Sequence, residues 1–438
     1  MRVVIIGGGS AGTTCAYELR KLDKDVEITL VEKTADTEYS PCALPYVLSG
    51  EIPSFDHIYI FKKEDYEQNA IRLMLDSHVK AIDRNAKKAV LADGEELPYD
   101  ALVLATGSKP SIPPIQGLDQ TRFYCLKTIE DAKRISETIR PGKKSVVVGA
   151  GMIGVELADA LASKEEDVTL IETQEHILPD LLDEDMSRLV AEILEAKGVK
   201  IYTRTSVNEA TPDKVRTHDK EIPSDKLFIC AGVKPDTRLA REAGLETDKG
   251  VLVDATMRTT DENIFACGDC VESHEQDTGR KVCSQLGTTA VRQAKTVAEN
   301  VLGGKKEFPP VVNNTISKIG GVYVGAVGLT GKRASDVGFR TVSARYTSGV
   351  RAEYHPSEER ITIKLVCDET GKVVGGQAVG DDEVAGRLDL ISLAIRKGVR
   401  AGELAELETC YNPASAPIFD PLTIAAGLCA KKQALSRR

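Results

Sequence analysis

Two glycine-rich turns of the same design, 142 residues apart, constrain this chain more than any other feature. The first grows out of residues 3–6 (Val-Val-Ile-Ile), an apolar β-branched run suited to a strand buried on both faces of a parallel sheet. Gly7-Gly8-Gly9-Ser10-Ala11-Gly12 then opens a helical pattern to about residue 22, and a second strand pattern, 26–31, ends at Glu32, 20 residues after Gly12. The design recurs where residues 145–148 lead into Gly149-Ala150-Gly151-Met152-Ile153-Gly154, a helix, and a strand pattern ending at Glu172, 18 residues after Gly154. Strand, GxGxxG, helix, strand and acid together form a dinucleotide-binding unit. The first glycine permits a tight turn, and the second lets a pyrophosphate approach the backbone. The third lets the helix pack on the strand, and the acid takes ribose hydroxyls. Glu172 repels a 2′-phosphate, so the second unit is expected to prefer NADH over NADPH. The expected fold class is α/β, with two Rossmann-like domains.

At 438 residues the chain is long enough for two or three domains. A net charge of −10 argues against nucleic acid or an anionic membrane as partner. No apolar run approaches the roughly 20 residues that span a bilayer. The N-terminus enters a strand at once, without a signal-like segment, and the expectation is a cytoplasmic protein. The ten cysteines are scattered, unlike a secreted disulfide framework.

Tyr39-Ser40-Pro41-Cys42-Ala43-Leu44-Pro45-Tyr46 holds one cysteine between two prolines. Ser40 can cap a helix whose first residue is Pro41, which places Cys42 in the first turn, where unpaired N–H groups favour a thiolate. Pro45 argues against a long helix there, so a tight turn or strained first turn is expected. The residues alone leave two readings open: a buried structural thiol or a reactive one. Arg20 and Lys21 close the first helix, where cations complement the dipole. Residues 99–107 and 227–232 form strand-to-glycine junctions, at Ala105-Thr106-Gly107 and at Gly232. Cys267-Gly268-Asp269-Cys270 contains CxxC, but without a second pair at zinc spacing no metal is expected. The better reading is Gly268-Asp269, with the acid holding a ribityl hydroxyl. A helix over 287–302 follows. From about 307 an α+β pattern takes over, with strands near 323–327, 340–345, 361–366 and 373–379 and helices at 381–397 and 400–406. Tyr354 and Tyr411 lie in turn sequences beside proline, where ordinary packing is the plain reading.

This order of motifs resembles the flavin-linked pyridine nucleotide–disulfide oxidoreductases over essentially the whole chain. In detail it resembles their single-cysteine group: coenzyme A disulfide reductase, NAD(P)H-dependent persulfide reductase and NADH oxidase. The resemblance implies residues 1–113 and 246–306 as an FAD domain, 114–245 as an NADH domain and 307–438 as an α+β C-terminal dimerisation domain. It implies FAD contacts from Gly7, Gly9, Ser10, Ala11, Gly12, Glu32, Lys33, Val79, Ala105, Thr106, Gly107, Gly268, Asp269 and Gly287. It implies NADH contacts from Gly149, Gly151, Ile153, Gly154, Glu172 and Gly232. Cys42 would be the redox centre. Tyr354 and Tyr411 would reach it from the other subunit of a homodimer, and Arg20, Lys21 and Ser40 would meet coenzyme A as substrate or bound ligand.

The departures are also informative. Val47 stands where glutathione-reductase-like members carry a second cysteine, and Ser10 where NADH peroxidases carry a histidine. Pro41 stands where coenzyme A disulfide reductases often carry asparagine, which fits archaeal-type oxidase or persulfide reductase members better. The implied activity passes electrons from NAD(P)H through FAD and Cys42 to a coenzyme A-linked persulfide, polysulfide or disulfide. Two alternatives are an NADH oxidase reducing O₂ to peroxide or water, and a redox-sensing flavoprotein that docks a protein partner.

Overall fold

The computed structural model describes residues 1–436, which fall into two compact units. The first comprises residues 1–111, 233–275 and 279–311. Its centre is a five-stranded parallel sheet in the order Ile264–Ala266, Ala101–Leu104, Arg2–Ile6, Glu27–Val31, Ile71–Met74. Val3, Val4, Ile5 and Ile6 are all buried, as are all four residues of Ala101–Leu104, because helices cover both faces of a parallel sheet. Helix Ser10–Leu22 packs against helix Gly287–Val301, so a segment near the start and one near residue 300 close the same core. A three-stranded antiparallel sheet, Val79–Asp83, Lys88–Leu91 and Glu96–Pro98, completes the unit.

Among the described residues, the second unit comprises 112–232, 276–278 and 312–436. It repeats the parallel design in the order Lys200–Tyr202, Asp167–Ile171, Lys144–Val148, Lys226–Ile229, Phe123–Tyr124. It adds a five-stranded antiparallel sheet, Thr315–Ile319, Val322–Gly328, Val373–Gly380, Arg360–Asp368, Thr341–Gly349. Helices Val384–Lys397 and Pro421–Ser436 lie on this sheet. Polar contacts join this sheet to the start of helix Glu184–Ala196: Asp183 N–H donates to Gln377 Oε1 at 2.8 Å, and Lys364 Nζ lies 3.0 Å from Asp183 and 2.6 Å from Asp185.

Residues 233–245, expected with the NADH-binding stretch, belong to the first unit. Strand Val233–Pro235 pairs antiparallel with Ser108–Pro110, and Leu239, Ala240 and Leu245 join the first core. Among the described residues no helix is long and apolar enough to cross a membrane.

Candidate active site

The two glycine turns fold alike. Gly7 adopts φ +109°, and a Cβ there would lie 2.2 Å from Ala105 O; one on Gly12 would lie 1.8 Å from Gly7 O. The corresponding clearances at Gly149 and Gly154 are 2.4 Å to Cys230 O and 1.9 Å to Gly149 O. Close packing of turn, helix and neighbouring strand therefore excludes a side chain at all four positions. Gly9 and Gly151 differ: a Cβ would meet nothing within 4 Å, so the backbone borders open space at the N-cap of each helix, Ser10–Leu22 and Met152–Ala162. Each acid is oriented by its own turn. Glu32 Oε2 accepts from Gly8 N–H at 2.7 Å while Oε1 accepts from Thr34 N–H at 2.9 Å. Glu172 Oε2 accepts from Ala150 N–H at 2.7 Å while Oε1 accepts from Gln174 N–H at 2.8 Å. Ile153 lies in the first turn of the second helix, and Gly232, at φ +85°, follows the neighbouring strand.

The remaining residues expected around the first dinucleotide gather within the first unit. Ala105 N–H donates to Ile6 O, and Thr106 Oγ1 donates to Asp236 O at 2.7 Å. Gly107 takes φ +69°. Ser108 Oγ donates to Asp269 Oδ2 at 2.8 Å, and Gly268 N–H donates to Gln293 Oε1. Gly287 begins the helix Gly287–Val301. Lys33 is exposed beside Glu32, and Val79 is buried opposite Leu91. Cys267 and Cys270 are fully buried, and the Cys270 thiol donates to Leu104 O and Cys267 O. Burial pushes the Cys270 thiol up to about 11, which makes these two residues core.

Cys42 is exposed in a single 3₁₀ turn, Pro41–Ala43, that runs directly into helix Leu44–Ser49. One expectation for this segment is corrected. Ser40 occupies the N-cap, but its side chain makes no capping bond; its N–H donates to Ile58 O and its C=O accepts from Ala43 N–H. Pro45 sits in the first turn of that helix, where no N–H is needed, and the segment is a tight turn with a short helix, as expected. Gly50, at φ +83°, ends the helix after six residues. Tyr39 forms an antiparallel bridge with Tyr59, whose hydroxyl donates to Asp36 Oδ1. Glu38, four residues before Cys42, is buried; burial raises its carboxyl above the usual range, and a hydrogen bond with Ser10 partly offsets this.

Arg20 does not present its guanidinium to a ligand. Its five N–H groups go to the carbonyls of Asn69, Asp23, Lys24, Val26 and Ala70. A coenzyme A phosphate could bind there only by displacing one of them, so that role is not carried forward. The fold uses Arg20 to fasten the end of helix Ser10–Leu22. Lys21 is exposed, 2.8 Å from Glu18.

Tyr354 and Tyr411 meet. Their hydroxyls lie 2.5 Å apart although the residues are 73% and 48% exposed. The hydrogen bond with Tyr411 holds the Tyr354 phenol above its ordinary value. The loop bearing Tyr411 is shaped by a bridge between Asn412 and Ala416 and by Ala352 N–H donating to Pro413 O. Glu156 escaped the sequence reading. It lies two residues after Gly154, and burial pushes its carboxyl up to about 7, opposed by a hydrogen bond from Ser317. The available signal was a carboxylate set among Val155, Leu157 and Ala158 on a helix that is otherwise apolar.

Residues 1–294 match the model of the pyridine nucleotide-disulphide oxidoreductases, and residues 318–421 match the dimerisation domain of the same enzymes. The chain belongs to that family. It is 40% identical to an NADH oxidase of Methanocaldococcus jannaschii over 99% of both chains. It is 30% identical to a CoA-dependent NAD(P)H sulfur oxidoreductase of Pyrococcus furiosus, over 97% of this chain and 98% of the other. A solved NAD-dependent persulfide reductase from A. fulgidus superposes with a TM-score of 0.95 at 33% identity, over 99% of this chain and 84% of that one.

Family membership implies FAD and NAD(P)H, and gives the two Rossmann-like units and the C-terminal sheet their places as nucleotide-binding and dimerisation domains. The residues present fit two such groups. Both helix N-termini are uncapped by side chains, both border open space at the middle glycine, and both acids are held by backbone N–H groups beside it. The dimerisation-domain match supports a homodimer.

Proposed function

We propose that this oxidoreductase carries electrons from NADH to the sulfur of a coenzyme A-linked persulfide, polysulfide or disulfide, with Cys42 as the sulfur that meets the substrate. The observation that favours this reading is the Tyr354–Tyr411 pair: two exposed phenols joined to each other and available to an external partner. A phenol at such a position can protonate a thiolate as it leaves.

When bound, FAD supplies the capacity to take a hydride from NAD(P)H and pass two electrons to a sulfur. In our reading Gly9, Ser10, Ala11, Glu32, Thr106, Gly268, Asp269 and Gly287 hold it. Gly151, Ile153, Gly154, Glu172 and Gly232 hold the nicotinamide nucleotide, and the Glu172 carboxylate selects a free 2′-hydroxyl. Cys42 attacks the outer sulfur of a coenzyme A persulfide. The S–S bond breaks, coenzyme A leaves as thiolate, and Cys42 is left as a persulfide. Tyr411 of the partner subunit protonates the departing thiolate, and its bond to the partner's Tyr354 fixes the hydroxyl direction. Two electrons then release hydrosulfide and restore the Cys42 thiolate. Val47 supplies no second thiol, so the intermediate stays on one sulfur. Ser40 and Lys21 remain candidates for coenzyme A contacts.

A second reading, NADH oxidase, is favoured by the Methanocaldococcus jannaschii relative. The deciding measurement is kcat/KM for coenzyme A persulfide against O₂, in wild type and in Cys42→Ser. Our reading requires persulfide to win in the wild type and to lose all turnover in the variant. Persulfide turnover that survives Cys42→Ser would sink it.

A further inference from the structure

The apolar face of helix Pro421–Ser436 says little about where the helix should sit. It buries Leu422, Ala425, Ala426 and Cys429 beside strands Thr341–Gly349 and Arg360–Asp368, and all but Leu422 are small. Small side chains interlock weakly, so apolar packing leaves the rotation and sliding of such a helix loosely specified. A directional bond at the start of the helix supplies what the packing lacks. Arg387 lies on helix Val384–Lys397, and its Nη2 donates to Asp420 Oδ2 at 2.8 Å, with both side chains buried. Its Nη1 donates to Glu383, one turn earlier, which fixes the plane of the guanidinium. Asp420 also starts the helix. Its Oδ1 accepts from Leu422 N–H at 2.8 Å, and its carbonyl accepts from Thr423 Oγ1 at 2.9 Å and from Ile424 N–H at 3.1 Å.

The pair lies at the foot of the loop that carries Tyr411. The loop leaves helix Ala401–Ala405, which packs on Pro421–Ser436, and rejoins the latter at Asp420. Asn412 shapes the tip: its side chain accepts from Ala414 N–H at 3.0 Å, and its carbonyl accepts from Ser415 and Ala416 N–H at 2.9 and 2.8 Å. Tyr354 stands on the segment joining strands Thr341–Gly349 and Arg360–Asp368, the two strands on which the helix lies. One phenol therefore follows the helix and its loop, while the other follows the sheet. The bond between them depends on how the helix is seated. A buried ion pair recovers little beyond the cost of taking both charges out of water, so stability is a poor reason for this one.

We propose that Arg387 and Asp420 are a positioning pair for the sulfur step: their bond fixes the seat of helix Pro421–Ser436 and, through it, the place of the Tyr411 hydroxyl. The inference rests on the role given to Tyr411 above. Neither residue acts on the substrate itself.

The test compares the FAD-loaded wild type with Arg387→Met/Asp420→Asn, which removes both buried charges at similar volume and leaves an amide oxygen to cap the helix. Turnover of coenzyme A persulfide by NADH is measured beside turnover of ferricyanide, which draws electrons from the flavin without a sulfur. In the variant kcat for persulfide should fall about tenfold, while KM for NADH and ferricyanide turnover keep their wild-type values. Adding the two substitutions to Tyr411→Phe should lower kcat no further, because the hydroxyl they place is already absent. Full persulfide turnover in the folded variant overturns the proposal. So does a loss that is as large in the Tyr411→Phe background as in the wild type, or one that ferricyanide turnover shares. If the double substitution does not fold, Asp420→Asn alone, which keeps the cap and the volume, is judged by the same comparison. Tyr411→Phe with undiminished turnover removes the Tyr411 reading and this inference with it. An impaired Tyr411→Phe beside an unimpaired Arg387→Met/Asp420→Asn overturns this inference alone.

Discussion

Glu156→Gln isolates one buried carboxyl. In the wild type this group is raised from 4.5 to about 7, first by burial, with the Ser317 hydroxyl donating to it. Glutamine keeps an oxygen for Ser317 and the same volume, but cannot ionise. The folded state holds the proton more tightly than the unfolded chain. The contribution is therefore fully present below pH 4.5, declines as the unfolded chain deprotonates, and is lost once pH has passed about 7. The shift from 4.5 to about 7 corresponds to roughly 3 kcal/mol. The residue is partly open to solvent, so screening reduces this to about 2 kcal/mol. The assay is urea unfolding of both proteins at several pH values from about 4.5 to 8. Wild-type stability minus variant stability should fall by about 2 kcal/mol across that range. Groups elsewhere titrate equally in both proteins and cancel. Parallel pH profiles would refute the argument and show that Glu156 is solvated at an ordinary value.

Other substitutions separate the sites. Gly154→Ala puts a Cβ 1.9 Å from Gly149 O, so KM for NADH should rise at least about tenfold while FAD content, measured by absorbance, is unchanged. Glu172→Ala should lower the NADH-over-NADPH ratio of kcat/KM by about tenfold, roughly 1.4 kcal/mol, in steady-state assays. Arg20→Met should cost about 2–4 kcal/mol in chemical denaturation without changing KM for a coenzyme A-linked substrate, because its hydrogen bonds are internal; Lys21→Met should do the reverse. Mixed dimers of Cys42→Ser and Tyr411→Phe, after each parent is shown to be impaired, should regain part of the sulfur-reducing activity. No recovery in verified heterodimers removes the cross-subunit role.

The nucleotide-binding units were the most legible part of the sequence. Steric demands at Gly7, Gly12, Gly149 and Gly154 are local and absolute, and an apolar run such as residues 3–6 admits few environments. Strands Val322–Gly328 and Val373–Gly380 and helix Gly287–Val301 also appear close to where alternation and periodicity put them. What stayed hidden depends on distant partners. Arg20 reads as an ordinary helix-ending cation until the carbonyls of Asn69 and Ala70 arrive beside it. Helix Pro421–Ser436 lacks a clear polar face, and the strand Thr315–Ile319 takes its meaning from a hairpin with Val322–Gly328. The transfer of residues 233–245 to the first unit follows from a three-residue antiparallel pairing that no local pattern announces. At Cys42 the segment was legible as a turn, but the idle Ser40 hydroxyl was not.

The order of strands in the first sheet also bears on how the chain is made. Ala101–Leu104, buried along its whole length, pairs on one side with Arg2–Ile6 and on the other with Ile264–Ala266. A ribosome finishing residue 104 therefore leaves one apolar edge open until the chain has passed residue 266. Throughout that interval the nascent chain carries a bare ladder of backbone donors and acceptors on a strand of apolar residues, the kind of edge on which chains pair with the wrong neighbour. Synthesis rate, temperature and chaperone supply should thus set the yield of active protein more strongly than its final stability does.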